Sequence, residues 1–324
     1  MPQRRLPDQA FTSQTLRGTA VEAVFAGATS MFRRRYAKSM EGADAVFVGA
    51  PLDSASSGRP GSRFGPRAMR AASSALSHGA VWPWGFDPFD VLAAVDWGDI
   101  AFDLSRSEAF LEAADQAYSG FGEAVPITLG GDHFTSYPAV RALARRHGKL
   151  GLLHFDAHSD TWVDPVRHHG SVFFHAMRDG FVDRRRLVQV GIRTHNPVSH
   201  GSLVMTAHTV RRSDPAQLAA AIAGRIGDGP VYITFDLDCL DPSVAPGTGT
   251  PVPGGLSVGD VKDIVYELAG HRLDIVGIDM VEMTPAYDVS DITALAGTSL
   301  LLDLVCLLAG QRAGSGRPDP AAMG

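Results

Sequence analysis

Residues 151–160 read GLLHFDAHSD, and residues 231–242 read VYITFDLDCLDP. Each stretch begins with five near-continuously apolar residues and then breaks into carboxylates. Apolar side chains on both faces are what a central strand of a parallel sheet presents, because helices cover both of its sides. Further short apolar runs stand at 44–49, 91–95, 126–129, 187–191, 203–205 and 275–278. Helical patterns at 66–76, 108–118, 137–147, 215–226, 258–268 and 291–308 lie between several of them. This alternation predicts one α/β domain, a three-layer α/β/α sandwich around a mostly parallel sheet of about eight strands.

Two ends fall outside the pattern. Residues 1–40 are weakly patterned and carry the basic run Arg33-Arg34-Arg35; they are expected to form an N-terminal arm packed on a neighbouring subunit. The α/β domain is then expected over 41–310. A flexible tail rich in Gly, Ala and Pro follows over 311–324.

Composition narrows the function classes. A share of 45% apolar and 20% charged residues is that of a soluble globular protein and excludes wholesale disorder. A net charge of −6 favours a cationic partner over nucleic acid or an anionic membrane. Cys239 and Cys306, the only cysteines, are too few for a disulfide framework and suit a reducing cytosol. The strongest candidate for a membrane span, 294–310, has Asp303 at its middle and is expected to be a core helix instead. With no signal peptide evident, a cytoplasmic protein is expected.

In open parallel sheets, ligands bind at the carboxyl ends of the strands. Three of the expected strands end there in acidic residues and histidines: GGDH at 130–133, DAHSD at 156–160 and DLD at 236–238. Singly, each has a plain reading, such as a tight Gly130-Gly131 turn capped by Asp132 or a turn at Asp241-Pro242. Together they are poorly explained that way. Asp156, His158 and Asp160 follow at i, i+2, i+4 and share a side of an extended backbone, and Asp236 and Asp238 repeat the step. Four carboxylates converging on one crevice repel one another unless cations neutralise them. The set His133, Asp156, His158, Asp160, Asp236 and Asp238 suffices for two divalent ions if some carboxylates bridge. Oxygen and imidazole donors without thiolate favour manganese, with zinc, cobalt and nickel left open. His154, on the same strand face as Asp156, is expected to support the site rather than to bind.

The motifs GGDH (130–133), FDAHSD (155–160), HHG (168–170), FDLDCLDPSVAPGTGTPVPGG (235–255) and DMVEMTPAYD (279–288) occur in this order. From about residue 43 to 308 the chain thereby resembles the ureohydrolases, the arginase–agmatinase family. RPGSRFGPRAMR (59–70), WPWGFDPFD (82–90) and VQVGIRTHN (188–196) are similar to its bacterial agmatinase branch. The resemblance implies two Mn2+ per chain, with His133 and Asp160 on one ion, His158 and Asp238 on the other, and Asp156 and Asp236 bridging. It implies His169, rather than its neighbour His168, as the acid/base histidine, and Glu282 as the guanidinium-binding carboxylate. The implied reaction is cleavage of a small cationic guanidino substrate, agmatine, to urea and putrescine, in a homo-oligomer, trimer or hexamer.

The substrate's tail is less determined. Segment 161–167, TWVDPVR, lacks the Asn, Ser and Thr set with which arginases read an amino-acid end, which argues against arginine. Asp164 stands ready for an ammonium, and Arg167 for the carboxylate of 4-guanidinobutanoate or 3-guanidinopropanoate. The steps Ser171-Val172 and Met283-Thr284 depart from the agmatinase pattern and border the expected pocket. A guanidinobutyrase is therefore the alternative reading. A catalytically silent binding homologue is the minor one, although such a chain would be expected to lose ligands and all six stand here. The loop 241–255, stiff with proline and glycine, is placed to wall the site.

Overall fold

In the computed structural model, which describes residues 16–17, 24–76, 79–104 and 106–313, the runs GLLHF and VYITF lie side by side. They form β5 (Leu150–Phe155) and β8 (Pro230–Asp236), paired in parallel with His154 opposite Thr234. Every residue of β5 is buried, and every residue of β8 after Pro230. The other strands are β1 (Arg35–Tyr36), β2 (Ala45–Ala50), β3 (Ala94–Asp99), β4 (Val125–Gly130), β6 (Val182–Ile192), β7 (Leu203–Thr206) and β9 (Asp274–Val281). Among the described residues they make one nine-stranded sheet in the order β1-β3-β2-β4-β9-β8-β5-β6-β7, and every ladder in it is parallel.

Helices cover both faces: α1 (Gly65–Ser73), α2 (Pro88–Val91), α3 (Ser107–Gly120), α4 (Ser136–His147), α5 (Val172–Arg178), α6 (Ala207–Val210), α7 (Pro215–Ile226), α8 (Val258–Leu268) and α9 (Ile292–Ala313). Because side chains alternate along a strand, each buried strand feeds two cores. Phe47, Leu153 and Phe155 pack with α1, α7, α8 and α9. Val46, Val48, Leu150 and Leu152 pack with α3, α4 and α5. The result is the three-layer sandwich expected. Helix α9 is long and apolar enough to cross a membrane, yet it lies largely buried in the first core. Asp303 at its middle is held by the Trp84 indole N–H, 2.7 Å from Oδ1, and by the Lys262 ammonium on Oδ2.

Four expectations change. The arm does not stay apart over its whole length, because β1 pairs with β3 at the sheet edge and Met31 and Phe32 are buried. Arg33 and Arg34 are buried too: Arg33 donates to the carbonyl of Ala26 at 2.6 Å, and the Arg34 guanidinium lies 4.3 Å from the centre of the Phe89 ring. The domain therefore begins before residue 41. The strand expected at 91–95 starts at Ala94, since Asp87 caps a helical turn that Pro88 opens. Helix α5 has no counterpart in the expected pattern. At the other end α9 runs to Ala313, so 311–313 are helical; the rest of the tail, His78 and most of residues 1–23 lie outside the described residues.

Candidate metal centre

Four adjacent strands, β4, β9, β8 and β5, deliver the site from their carboxyl ends. The turn after β4 is possible only with glycine: a Cβ on Gly131 would lie 1.8 Å from the Leu52 carbonyl oxygen. That close approach seats Asp132, which caps the next turn through Phe134 N–H at 3.1 Å and accepts Ala55 N–H at 2.8 Å. The backbone is left-handed at Asp160 (φ 48°) and at Glu282 (φ 64°), conformations that non-glycine residues adopt at a cost. Both are expected site residues, each turned inward by that local strain.

All six expected ligands converge. The Nδ1 atom of His133 lies 2.9 Å from Asp160 Oδ2, 3.2 Å from Asp156 Oδ2 and 3.3 Å from Asp236 Oδ2. The Nδ1 atom of His158 lies 3.0 Å from Asp238 Oδ2 and 3.4 Å from Asp156 Oδ1. Asp156 thus belongs to both of two ligand-type clusters, one with His133, His154 and Asp160 and one with His158 and Asp238. Asp236 faces His133 and accepts Asp238 N–H at 2.7 Å, while Asp238 accepts Ala157 N–H and the Thr250 hydroxyl.

The electrostatics show what such packing demands. Burial, with the charges of Asp238 and Asp156, pushes the Asp236 carboxyl well above its ordinary range. Burial and Asp156 raise Asp238 to about 6. Burial also opposes the charge of Asp156, but His154, His133 and His158 outweigh it and hold this carboxyl well below the usual range. His158, disfavoured as a cation by burial, is raised to about 12 by Asp156 and Asp238.

A buried polar row explains how the ligands are oriented. Counting across the sheet in register, Gln189 (β6), His154 (β5), Thr234 (β8), Asp279 (β9) and Thr128 (β4) stand opposite one another. All five are buried. The Thr234 hydroxyl donates to Asp279 Oδ1 at 2.6 Å and so accepts from His133 Nε2, 2.9 Å away. His133 then carries a proton on Nε2 and turns Nδ1, which has no hydrogen-bond partner, toward three carboxylates. A divalent cation would satisfy that atom and those oxygens together, so the donor set fits such an ion. His154 is fixed the opposite way. The Gln189 amide, tied to Ser159 O and Ser202, donates to His154 Nδ1 at 3.1 Å, so Nε2–H donates to Asp156 Oδ2 at 2.7 Å. His154 is a supporting donor with no free lone pair.

A cavity of about 370 Å³ opens onto this cluster, lined by Asp160, Asp236 and His158 together with Ser57, Trp162, Asp164, His168, His169 and Thr250. Thr250 comes from the loop 241–255, which walls the site as expected. His169 Nδ1 lies 3.3 Å from Glu282 Oε1, and its Nε2 accepts Ser57 N–H at 3.1 Å with the Ser57 hydroxyl 2.7 Å away. Burial disfavours the imidazolium, but Glu282 and the charges of Asp160 and Asp132 raise His169 to about 9. Glu282 sits buried behind the cavity wall; Oε1 accepts His133 N–H at 2.9 Å, and Oε2 has no partner. Ser57 was not singled out from the sequence, where it reads as one serine among several in a loop. Arg167 is not at this cavity. It lies 3.2 Å from Asp179 and 4.9 Å from the centre of the Tyr137 ring, beside a separate cavity of about 460 Å³. The carboxylate-binding role open to it in the sequence therefore has no geometric basis.

A parallel sheet that carries at its carboxyl edge a His/Asp cluster fit for a binuclear metal site, with the His169–Glu282 pair beside it, is the frame of a metal-dependent hydrolase. The chain belongs to the arginase family, whose sequence profile matches residues 43–306. It is 45% identical over 309 residues to an agmatinase of Chromobacterium violaceum, spanning 93% of this chain and 95% of that one. The crystal structure of a hypothetical agmatinase from Burkholderia thailandensis superposes with a TM-score of 0.92 at 43% identity, covering 95% of this chain and 99% of that one. Proclavaminate amidino hydrolase from Streptomyces clavuligerus superposes with a TM-score of 0.83 at 35% identity, covering 90% of this chain and 100% of that one.

Proposed function

We propose that the chain hydrolyses agmatine to urea and putrescine. The observation that carries this reading is the buried four-carboxylate cluster around His133 and His158, whose Asp160 and Asp236 line one cavity together with His169, the partner of Glu282. His133, Asp156, His158, Asp160, Asp236 and Asp238 would hold two divalent ions, which would neutralise the carboxylates and activate a water nucleophile at neutral pH. Donor chemistry favours manganese for both.

The rest is the work of side chains. Glu282 is the carboxylate to which this reading assigns the guanidinium; its Oε2 has no hydrogen-bond partner and its Oε1 faces His169 Nδ1. Collapse after attack expels an amine, which leaves only when protonated. His169 supplies that proton. In the neutral ring Nδ1–H points to Glu282 and Nε2 accepts from Ser57, so Nε2 is the atom that gains and gives the proton. Glu282 beside Nδ1 favours the protonated ring, the form that would donate. A homo-oligomer and a cytoplasmic location belong to this reading and rest on the sequence alone.

One assay tests it: urea release from agmatine, L-arginine, 4-guanidinobutanoate and 3-guanidinopropanoate at equal concentration with manganese. The kcat/KM for agmatine should exceed that for arginine by at least ~10²-fold, because an unpaired carboxylate costs at least ~2–3 kcal/mol to desolvate. Arginine or either guanidino acid preferred over agmatine would move the assignment to another member of the family.

A further inference from the structure

We propose that Asp164 recognises the terminal ammonium of the substrate and thereby selects a dicationic guanidino-amine over neutral or anionic tails; this rests on the reading of the site as a guanidinium hydrolase. The cavity has two unlike ends. Its inner end is formed by Asp160 and Asp236, both nearly fully buried. Its rim is formed by Trp162 and Val163, exposed at 44% and 61%, and by Asp164 and His168. The apolar faces of Trp162 and Val163 suit a run of methylenes between the two ends.

Asp164 is held ready for a ligand. Its Oδ1 accepts Val166 N–H at 2.7 Å, which fixes the carboxylate on its own loop. Its Oδ2 is 3.5 Å from His168 Nε2, too long for a strong hydrogen bond, and keeps its accepting capacity. His168 is itself anchored by Gly170 N–H on Nδ1 and by the Ser171 hydroxyl on its backbone N–H, so the rim is built rather than loose. No lysine or arginine lines the cavity among the described residues, and the nearby Arg167 is turned away onto Asp179 and Tyr137. A carboxylate tail at the rim would meet a like charge. An ammonium there would meet its counter-ion.

The test compares agmatine with 1-butylguanidine, which keeps the guanidinium and the methylenes and lacks the ammonium, on wild type, Asp164→Asn, Asp164→Glu and Arg167→Ala. Asp164→Asn should raise KM for agmatine about tenfold, as loss of a charged hydrogen bond does, with kcat within about twofold. It should leave the constants for 1-butylguanidine unchanged, and Asp164→Glu should retain most of the preference for agmatine. Arg167→Ala should alter neither substrate. The KM of wild type for agmatine should also rise with salt more steeply than that of Asp164→Asn, since an exposed pair is screened. Equal effects of Asp164→Asn on both substrates, or none on agmatine, overturn the proposal while urea release by wild type upholds the activity. A wild type that releases no urea from agmatine overturns the activity itself, and this proposal with it.

Discussion

Asp156→Asn lowers urea release from agmatine by more than ~10²-fold and leaves less than one ion per chain. Even partners that only orient metal ligands cost 10–100-fold when removed, so a ligand serving both ions should cost more. Asp156 is the residue whose two oxygens separately face His133 Nδ1 and His158 Nδ1. Asp236→Asn should follow it closely, whereas His158→Asn, which touches one cluster only, should leave about one ion bound. Elemental analysis of the purified variants reads this directly. Folding does not confound Asp236→Asn. Burial and the charges of Asp238 and Asp156 raise the folded pKa of Asp236, so its charge opposes folding in the metal-free chain. Metal-free Asp236→Asn should therefore melt no lower than metal-free wild type.

The second large effect concerns the adjacent histidines. His169→Ala should lower kcat by roughly 10²–10⁴ with a modest change in KM, as loss of a general acid does. His168→Ala should do far less, because its ring caps a turn and faces Asp164 at the rim. Steady-state kinetics on agmatine separate the two, and the reverse order would contradict the assignment of the proton to His169.

How far this was legible in the chain depends on where each element draws its stability. Strands β5 and β8 are buried on both faces, so their sequences are apolar almost throughout and declare themselves. Helices α7 and α8 begin where expected because Asp214 and Ser257 cap them within the chain's own neighbourhood. By contrast β1 is two residues, Arg35 and Tyr36, that become a strand only by pairing with β3, a partner some sixty residues away. Helix α5, VFFHAMR, opens with residues of poor helix propensity and is held by burial of Val172 and Phe173 against the sheet.

The same division runs through the site. The convergence of the six candidate ligands was legible because carboxylates and histidines at strand ends have few other uses. The row Gln189, His154, Thr234, Asp279 and Thr128 was harder, since strand order decides which polar residues become neighbours. A signal was nonetheless present: the apolar runs of β4, β5, β6 and β8 each carry a polar residue inside them, and in β5 and β8 it stands two residues before a candidate ligand, His154 before Asp156 and Thr234 before Asp236. Two-residue periodicity places such pairs on one face, so His154 sits beneath Asp156, to which it donates, whereas Thr234, beneath Asp236, meets His133 instead. Arg167 shows the opposite limit. Sequence proximity to Asp164 suggested a shared pocket, but Asp179 and Tyr137 draw it into another.

A stoichiometric titration decides whether two ions together cleave the guanidinium. Metal-free protein is titrated with manganese while urea release from agmatine is followed at each addition. Activity should rise and saturate at two equivalents per chain; full activity at one equivalent, or without metal, would contradict the account.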